Sequence, residues 1–219
     1  MNNDKLNLFN SKDKIKTMVF DLGGVIFTSG THLTLAKLVE RYHLEDWKSL
    51  ELFFKSEPNT EGGLLRLGQI SIDEFETKFY KKFKITEKNP QILRMIWFSN
   101  YIPYYYMLKI LKRLHEKYYL IAFSGNIEER INFLDARYDF LKLFHICLFS
   151  YDYHYSKSDQ EFYHELLSQL NCRSFEALLI DDSAYVIEIA DSVGFQTLLF
   201  SYTEQFLKEL IPYGIKIDI

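Results

Sequence analysis

An apolar run, Thr17-Met18-Val19-Phe20, ends on a single acid, Asp21; Leu22, two glycines (Gly23 and Gly24) and a second apolar run, Val25-Ile26-Phe27, follow. No other feature of the chain constrains its fold as strongly. A buried strand that ends in a carboxylate puts that group at the carboxyl edge of an α/β sheet, where such sheets bind their ligands. The glycines let backbone amides come close to whatever the carboxylate attacks or binds. An acid behind a strand is also an ordinary way to make a turn, so the reading depends on how the later strands end.

Those strands are legible after Pro103, where apolar runs at 118–123, 145–149, 177–180 and 196–200 alternate with helical patterns at 104–117, from about 127, at 159–170 and at 184–193. Alternation of this length calls for a doubly wound parallel sheet with right-handed crossovers. Between the first and second strands, residues 31–100 carry almost no strand-like run. Thr31 is placed to cap a helix bearing Leu35, Leu38 and Val39, and Ser71-Ile72-Asp73-Glu74 has capping-box spacing ahead of Phe75, Phe79 and Phe83. Glu61-Gly62-Gly63 and Leu67-Gly68-Gln69 read as turns. The expected organisation is an α/β core at 15–30 and 101–219, an inserted α-helical domain at 31–100, and a solvated arm at 1–14.

The net charge of −4 gives no footprint for nucleic acid, and Lys81, Lys82 and Lys84 lie among acids as a solvated face. No apolar run reaches the roughly 18 residues that a membrane span needs. No signal-peptide core opens the chain, and two cysteines, with Cys147 inside an apolar strand, are too few for a disulfide framework. The expectation is a cytoplasmic protein with reduced thiols.

The strand ends hold the candidate chemistry. The first ends at Asp21. The second ends at Ser124-Gly125-Asn126, a hydroxyl and backbone amides at a helix start, suited to an anion. Past the third comes Lys157, and the fourth ends in Asp181-Asp182. Taken singly, Ser124 suits an N-cap, Lys157 a surface lysine and the acid pair a helix cap. Taken in order they form a site, and three carboxylates facing one another need a proton or a divalent cation, for which magnesium fits.

This order resembles the haloacid dehalogenase superfamily, a large group dominated by phosphatases. Its first motif is similar to Phe20-Asp21-Leu22-Gly23-Gly24-Val25, its second to Ala122-Phe123-Ser124-Gly125-Asn126, its third-motif lysine to Lys157, and its fourth-motif acids to Asp181 and Asp182. The helical insertion resembles the family's small α-helical cap, including the stretch Arg66-Leu67-Gly68-Gln69-Ile70-Ser71 followed by Phe75. The resemblance implies Asp21 as nucleophile of an aspartyl-phosphate intermediate. It implies that Ser124, Gly125, Asn126 and Lys157 hold the phosphoryl group. Mg2+ would lie on Asp21, the Gly23 carbonyl and Asp182, with Asp181 holding a metal-bound water. The implied substrate is a small phosphorylated metabolite, a sugar phosphate being one candidate.

One departure bears on activity. The family's phosphatases carry a second aspartate two residues after the nucleophile as general acid and base, and Gly23 stands there. General acid–base help is worth about 10²–10⁴-fold. Among other donors, spacing singles out neither His154 nor Glu61. The alternative reading is therefore a catalytically weak or inactive binding or regulatory protein. A 2-haloacid dehalogenase is a third reading, disfavoured by the acid pair at 181–182. Sequence leaves substrate identity and oligomeric state open.

Overall fold

The structure, a computed structural model, describes residues 14–217. All but the last residue of the expected N-terminal arm lies outside that range. Five parallel strands, β1 (Thr17–Phe20), β2 (Tyr119–Ser124), β3 (Ile146–Phe149), β4 (Ala177–Asp181) and β5 (Gln196–Leu199), form one sheet in the order β3-β2-β1-β4-β5. The expected strands are all present, with ends shifted by one or two residues. β1 lies at the centre, where the strand order reverses. Its partners Phe20↔Ala122 and Phe20↔Ile180 put the next residue, Asp21, level with Asp181.

Both sheet faces are covered, as parallel sheets require. Met18, Phe20, Leu120, Ala122, Leu178 and Ile180 face one way, with Ile110, Leu111 and Leu114 of the helix Tyr105–His115 and Phe206 and Leu210 of the helix Thr203–Leu210 in the same apolar cluster. Val19, Ile121, Phe123 and Leu179 face the other way, clustered with Phe162, Tyr163 and Leu166 of the helix Gln160–Ser168 and with Val186 and Ala190 of the helix Ala184–Ser192. Alternation along each strand thus feeds two separate cores.

Six helices run between β1 and β2: the helix Tyr105–His115 and, before it, α1 (Gly30–Tyr42), α2 (Trp47–Phe54), α3 (Glu61–Arg66), α4 (Ile72–Lys82) and α5 (Ile92–Ser99). The four already described are α6 (Tyr105–His115), α9 (Gln160–Ser168), α10 (Ala184–Ser192) and α11 (Thr203–Leu210), while α7 (Glu128–Tyr138) and α8 (Ser150–Tyr153) follow β2 and β3. Ser71 caps α4 by accepting from the Glu74 amide, and Phe75 and Phe79 are fully buried against Phe53, Phe54 and Trp97. This aromatic cluster joins the same apolar core as the sheet face under α6.

Three sequence expectations are corrected. Glu61-Gly62-Gly63 is not a turn but the first turn of α3, capped by Thr60. A Cβ on Gly62 or Gly63 would strike the backbone of Phe54 or Glu57, so these glycines mark a close approach of two backbones. Thr31 does not cap α1. Ser29 stands at that position, and the Thr31 hydroxyl instead pairs with Tyr101 Oη and accepts from Trp97 Nε1. The run Tyr104-Tyr105-Tyr106 predicts rings that pack their helix on the sheet, but Tyr105 and Tyr106 are exposed and flank the Lys109 ammonium.

One buried ion pair holds α4 to α5. Glu76, 1% exposed, accepts from the Arg94 amide and Nε at 3.0 Å each and from Nη2 at 2.5 Å, and these bonds push the guanidinium pKa upward. Replacing Arg94 with Met strands that carboxylate. We expect a loss of about 2–3 kcal/mol in chemical denaturation, recovered in large part by adding Glu76→Gln.

Candidate active site

The loop after β1 is built by its own backbone. Ile26 and Phe27 amides donate to the Leu22 carbonyl, and the Gly24 amide donates to Phe27 O at 2.6 Å, so the second apolar run folds back into the core. Gly24 adopts φ +87°, and a Cβ there would lie 2.0 Å from Asp182 Oδ2. Glycine is thus required by conformation and by the carboxylate packed over it. Gly23 is different: a Cβ would meet only the Tyr101 ring at 3.7 Å.

The predicted residues converge. Lys157 Nζ donates to Asp21 Oδ1 at 2.7 Å and to Asp181 Oδ2 at 2.6 Å. Asp181, 2% exposed, also accepts from the Ser183 amide at 2.8 Å. Oxygens of Asp21, Asp181 and Asp182 all lie within 4.8 Å of one another. Burial raises the Asp21 pKa against the lowering effect of Lys157, with Asp181 raising it further. Partial burial, then Asp21 and Asp181, bring Asp182 to about 6. Burial opposes the charge on Lys157, but Asp181 and Asp21 outweigh it and hold its pKa above the ordinary value. One ammonium thus faces three carboxylates. A cluster of hard oxygens with excess negative charge suits a divalent cation.

Two chambers that share Asp21, Arg66, Gly125 and Asp182 as walls lie here. The larger, of about 420 Å³, lies among Asp21, Lys157, Asp181 and Asp182 on the sheet side and Ser56, Glu57, Pro58 and Arg66 from the helical insertion. The smaller, of about 210 Å³, is walled by Gly23, Ser124, Gly125, Asn126, Tyr101, Arg66 and Arg130. Ser124 and Gly125 therefore stand beside Asp21. Asn126 is turned inward: its Nδ2 donates to Ser124 Oγ at 3.3 Å and its Oδ1 accepts from Arg130 Nε at 2.8 Å. Among the proton donors weighed from sequence, neither Glu61 nor His154 walls either chamber, and His154 Nδ1 pairs with Leu67 O at 2.7 Å.

The insertion is fastened at this point. Ser150 Oγ donates to the Arg66 carbonyl at 2.6 Å and accepts from the Asn126 amide at 3.1 Å. Sequence reading missed Arg130 and Tyr101 as site residues and gave Arg66 no role. The signal for Arg130 was its position four residues after Asn126, close enough across the start of α7 for the two side chains to bond.

Comparison with known proteins agrees with this geometry. A family model described as haloacid dehalogenase-like hydrolase matches residues 15–194. An uncharacterised protein of Dictyostelium discoideum is 28% identical over 163 residues, covering 71% of this chain and 67% of its own length. Among solved structures, a HAD-like family hydrolase from Porphyromonas gingivalis superposes with a TM-score of 0.72 at 17% identity, over 90% of this chain and 97% of its own. A HAD family enzyme from Bacteroides thetaiotaomicron, as an aspartate-to-alanine mutant in complex with magnesium and inorganic phosphate, gives 0.73 at 17% identity, over 88% and 99%. An L-2-haloacid dehalogenase gives 0.62 at 16% identity, over 84% and 82%. At these identities the structural likeness is one of fold. The matched span runs from the strand bearing Asp21 past the acid pair at 181–182, and this chain belongs to the haloacid dehalogenase-like hydrolases.

Proposed function

We propose that the protein is a magnesium-dependent phosphatase acting on a small phosphorylated metabolite through an aspartyl-phosphate intermediate. The observation that carries this reading is Lys157 bonded to Asp21 and Asp181 at 2.7 and 2.6 Å, with Asp182 oxygens within 4.8 Å of both carboxylates and Ser124 and Gly125 beside Asp21. Magnesium and phosphate in the Bacteroides relative support it. The acid pair also separates the site from metal-free displacement of halide, which needs no second and third carboxylate.

Asp21 attacks phosphorus through a carboxylate oxygen; the phosphorus–oxygen bond to the leaving group breaks as the aspartyl phosphate forms. Water then cleaves the acyl phosphate and frees Asp21. Lys157 holds the attacking carboxylate in place and offsets charge on the transferring oxygens, as do Ser124 Oγ and the Gly125 amide. Asp21, Asp182 and the Gly23 carbonyl would hold magnesium, with Asp181 beside it, and the bound ion would supply charge neutralisation on the phosphoryl oxygens. The insertion serves as a cap that excludes water and sets the leaving group. Gly23 contributes no proton, so the departing oxygen takes one from water, which favours activated leaving groups. The same glycine favours the second reading, a phosphoryl-binding protein with little turnover.

Phosphate release from a panel of sugar phosphates, other phosphorylated metabolites and acetyl phosphate tests the proposal. Release with magnesium and its loss with chelator are expected. Silence across the panel from folded, magnesium-binding protein would establish the second reading.

The affinity for magnesium should also depend on pH. A free Asp182 that holds its proton up to about pH 6 must lose it to ligate a cation. Binding is therefore flat above that pH and weakens by up to about tenfold per unit below it. Calorimetric titration between pH 5 and 8 measures this. A magnesium affinity constant over that range would show that Asp182 is not a ligand.

A further inference from the structure

Arg66 and Arg130 are 8% and 2% exposed, yet among the described residues neither has a carboxylate within 4.0 Å. Arg66 Nη1 donates to the carbonyls of Gly62 and Phe54 at 2.7 and 3.2 Å. Arg130 Nε donates to Asn126 Oδ1, while its Nη1 is a buried nitrogen with no hydrogen-bond partner among the described residues. The Arg130 guanidinium lies 4.2 Å from the Tyr101 ring centroid, and both guanidiniums lie 5.3–5.4 Å from the Trp97 ring. Burial, and Arg130 next, lower the Arg66 pKa to about 10.

Buried charges are ordinarily paired, because an isolated one is expensive to keep out of water. These two face the same small chamber as Ser124 and Gly125, at a point where Lys157 is already matched by Asp21 and Asp181. Carbonyls and aromatic faces orient the guanidiniums without neutralising them. Planar donors left over in a walled chamber suit an oxyanion.

We propose that Arg66 and Arg130 form a second anion subsite, which receives a carboxylate or phosphate group carried by the substrate in addition to the phosphoryl group cleaved at Asp21. The inference rests on the phosphatase reading and narrows its substrate class to phosphorylated metabolites with a second acidic group. Arg66 comes from the insertion and Arg130 from the helix after the phosphoryl-binding loop, so one anion would bridge the two parts of the molecule over the bound phosphate.

The test uses the full chain as Asp21→Asn, which binds without turning over, and three probes in calorimetry. Glycerol 3-phosphate has an uncharged remainder, 3-phosphoglycerate adds a carboxylate, and propane-1,3-diol bisphosphate adds a phosphate. At least one doubly anionic probe should bind about tenfold tighter than glycerol 3-phosphate, as one charge-assisted contact allows. Adding Arg130→Met or Arg66→Met should abolish that preference while changing glycerol 3-phosphate affinity by no more than about twofold. Equal weakening of all probes would overturn the proposal and assign the arginines to the transferring phosphoryl group; absence of any preference would overturn it outright.

Thermal unfolding of ligand-free Arg130→Met supplies an independent measure. Unchanged or raised melting supports an unpaired charge held for a ligand. A fall of several degrees that Arg130→Lys does not repair would overturn the proposal in favour of a structural clamp. The phosphatase reading stands or falls separately, on phosphate release by the unmodified protein.

Discussion

Asp21→Asn is expected to lower magnesium-dependent phosphate release by about 10⁴-fold or more, with the fold intact. The size follows from chemistry: an amide oxygen is a poor nucleophile, and a group at the centre of a cooperating set costs nearly the whole chemical contribution when removed. A 10⁴-fold loss corresponds to about 5.5 kcal/mol of barrier. Structural damage should be small. Asparagine has the same shape, its carbonyl can accept from Lys157 as Asp21 Oδ1 does, and a neutral amide escapes the burial, and then the repulsion from Asp181, that raise the Asp21 pKa. Phosphate release and thermal unfolding measured on one preparation check both halves. Release at the unmodified rate would remove Asp21 as nucleophile and with it the proposed mechanism.

Why this site could be read in the sequence is a matter of geometry. Parallel strands of an α/β sheet present their carboxyl ends on one edge, so residues far apart in the chain but each at a strand end must meet there. Asp21, Ser124 and Asp181 obey that rule, and Lys157 reaches them from the loop before α9. Nothing in the rule applies to helices packed over the edge. Arg66 ends a helix of six residues whose two glycines look like a turn until the backbones of Phe54 and Glu57 are seen against them. Arg130 lies on the inner side of α7, where its meaning comes from Tyr101, Trp97 and Asn126, neighbours fixed by tertiary packing alone. The exposed tyrosines of α6 show the converse: the run Tyr104-Tyr105-Tyr106 reads as a packing face, but the apolar face of that helix is Met107, Ile110, Leu111 and Leu114.

The bacterial structures agree with this chain on fold, so the chemical question that follows is what Gly23 costs. Gly24, one residue on, cannot change without striking Asp182, and it cannot accept a side chain at φ +87° without strain. Gly23 carries neither restriction. The two glycines are therefore not equivalent: one is required by the structure, and the other is permissive.

Gly23→Asp should consequently fold and gain activity. The added side chain enters the smaller chamber beside Tyr101, at the position where a proton could pass to the departing oxygen. Full general acid–base assistance is worth about 10²–10⁴-fold. The expected gain is about 10²-fold, the low end, because Arg66 and Arg130 wall the same chamber and favour the ionised form of a new carboxylate. The gain should depend on the leaving group. Alkyl phosphates, whose alkoxide must be protonated as it departs, should show nearly all of it; acetyl phosphate, whose carboxylate leaves unaided, should change by less than about threefold. Steady-state rates on glycerol 3-phosphate and acetyl phosphate, with both proteins at saturating magnesium, make the comparison. A folded Gly23→Asp protein with equal gains on both substrates, or none on either, would show that the missing proton does not limit the reaction. Either another group would then supply the proton, or the restriction would lie in the insertion that walls the chambers.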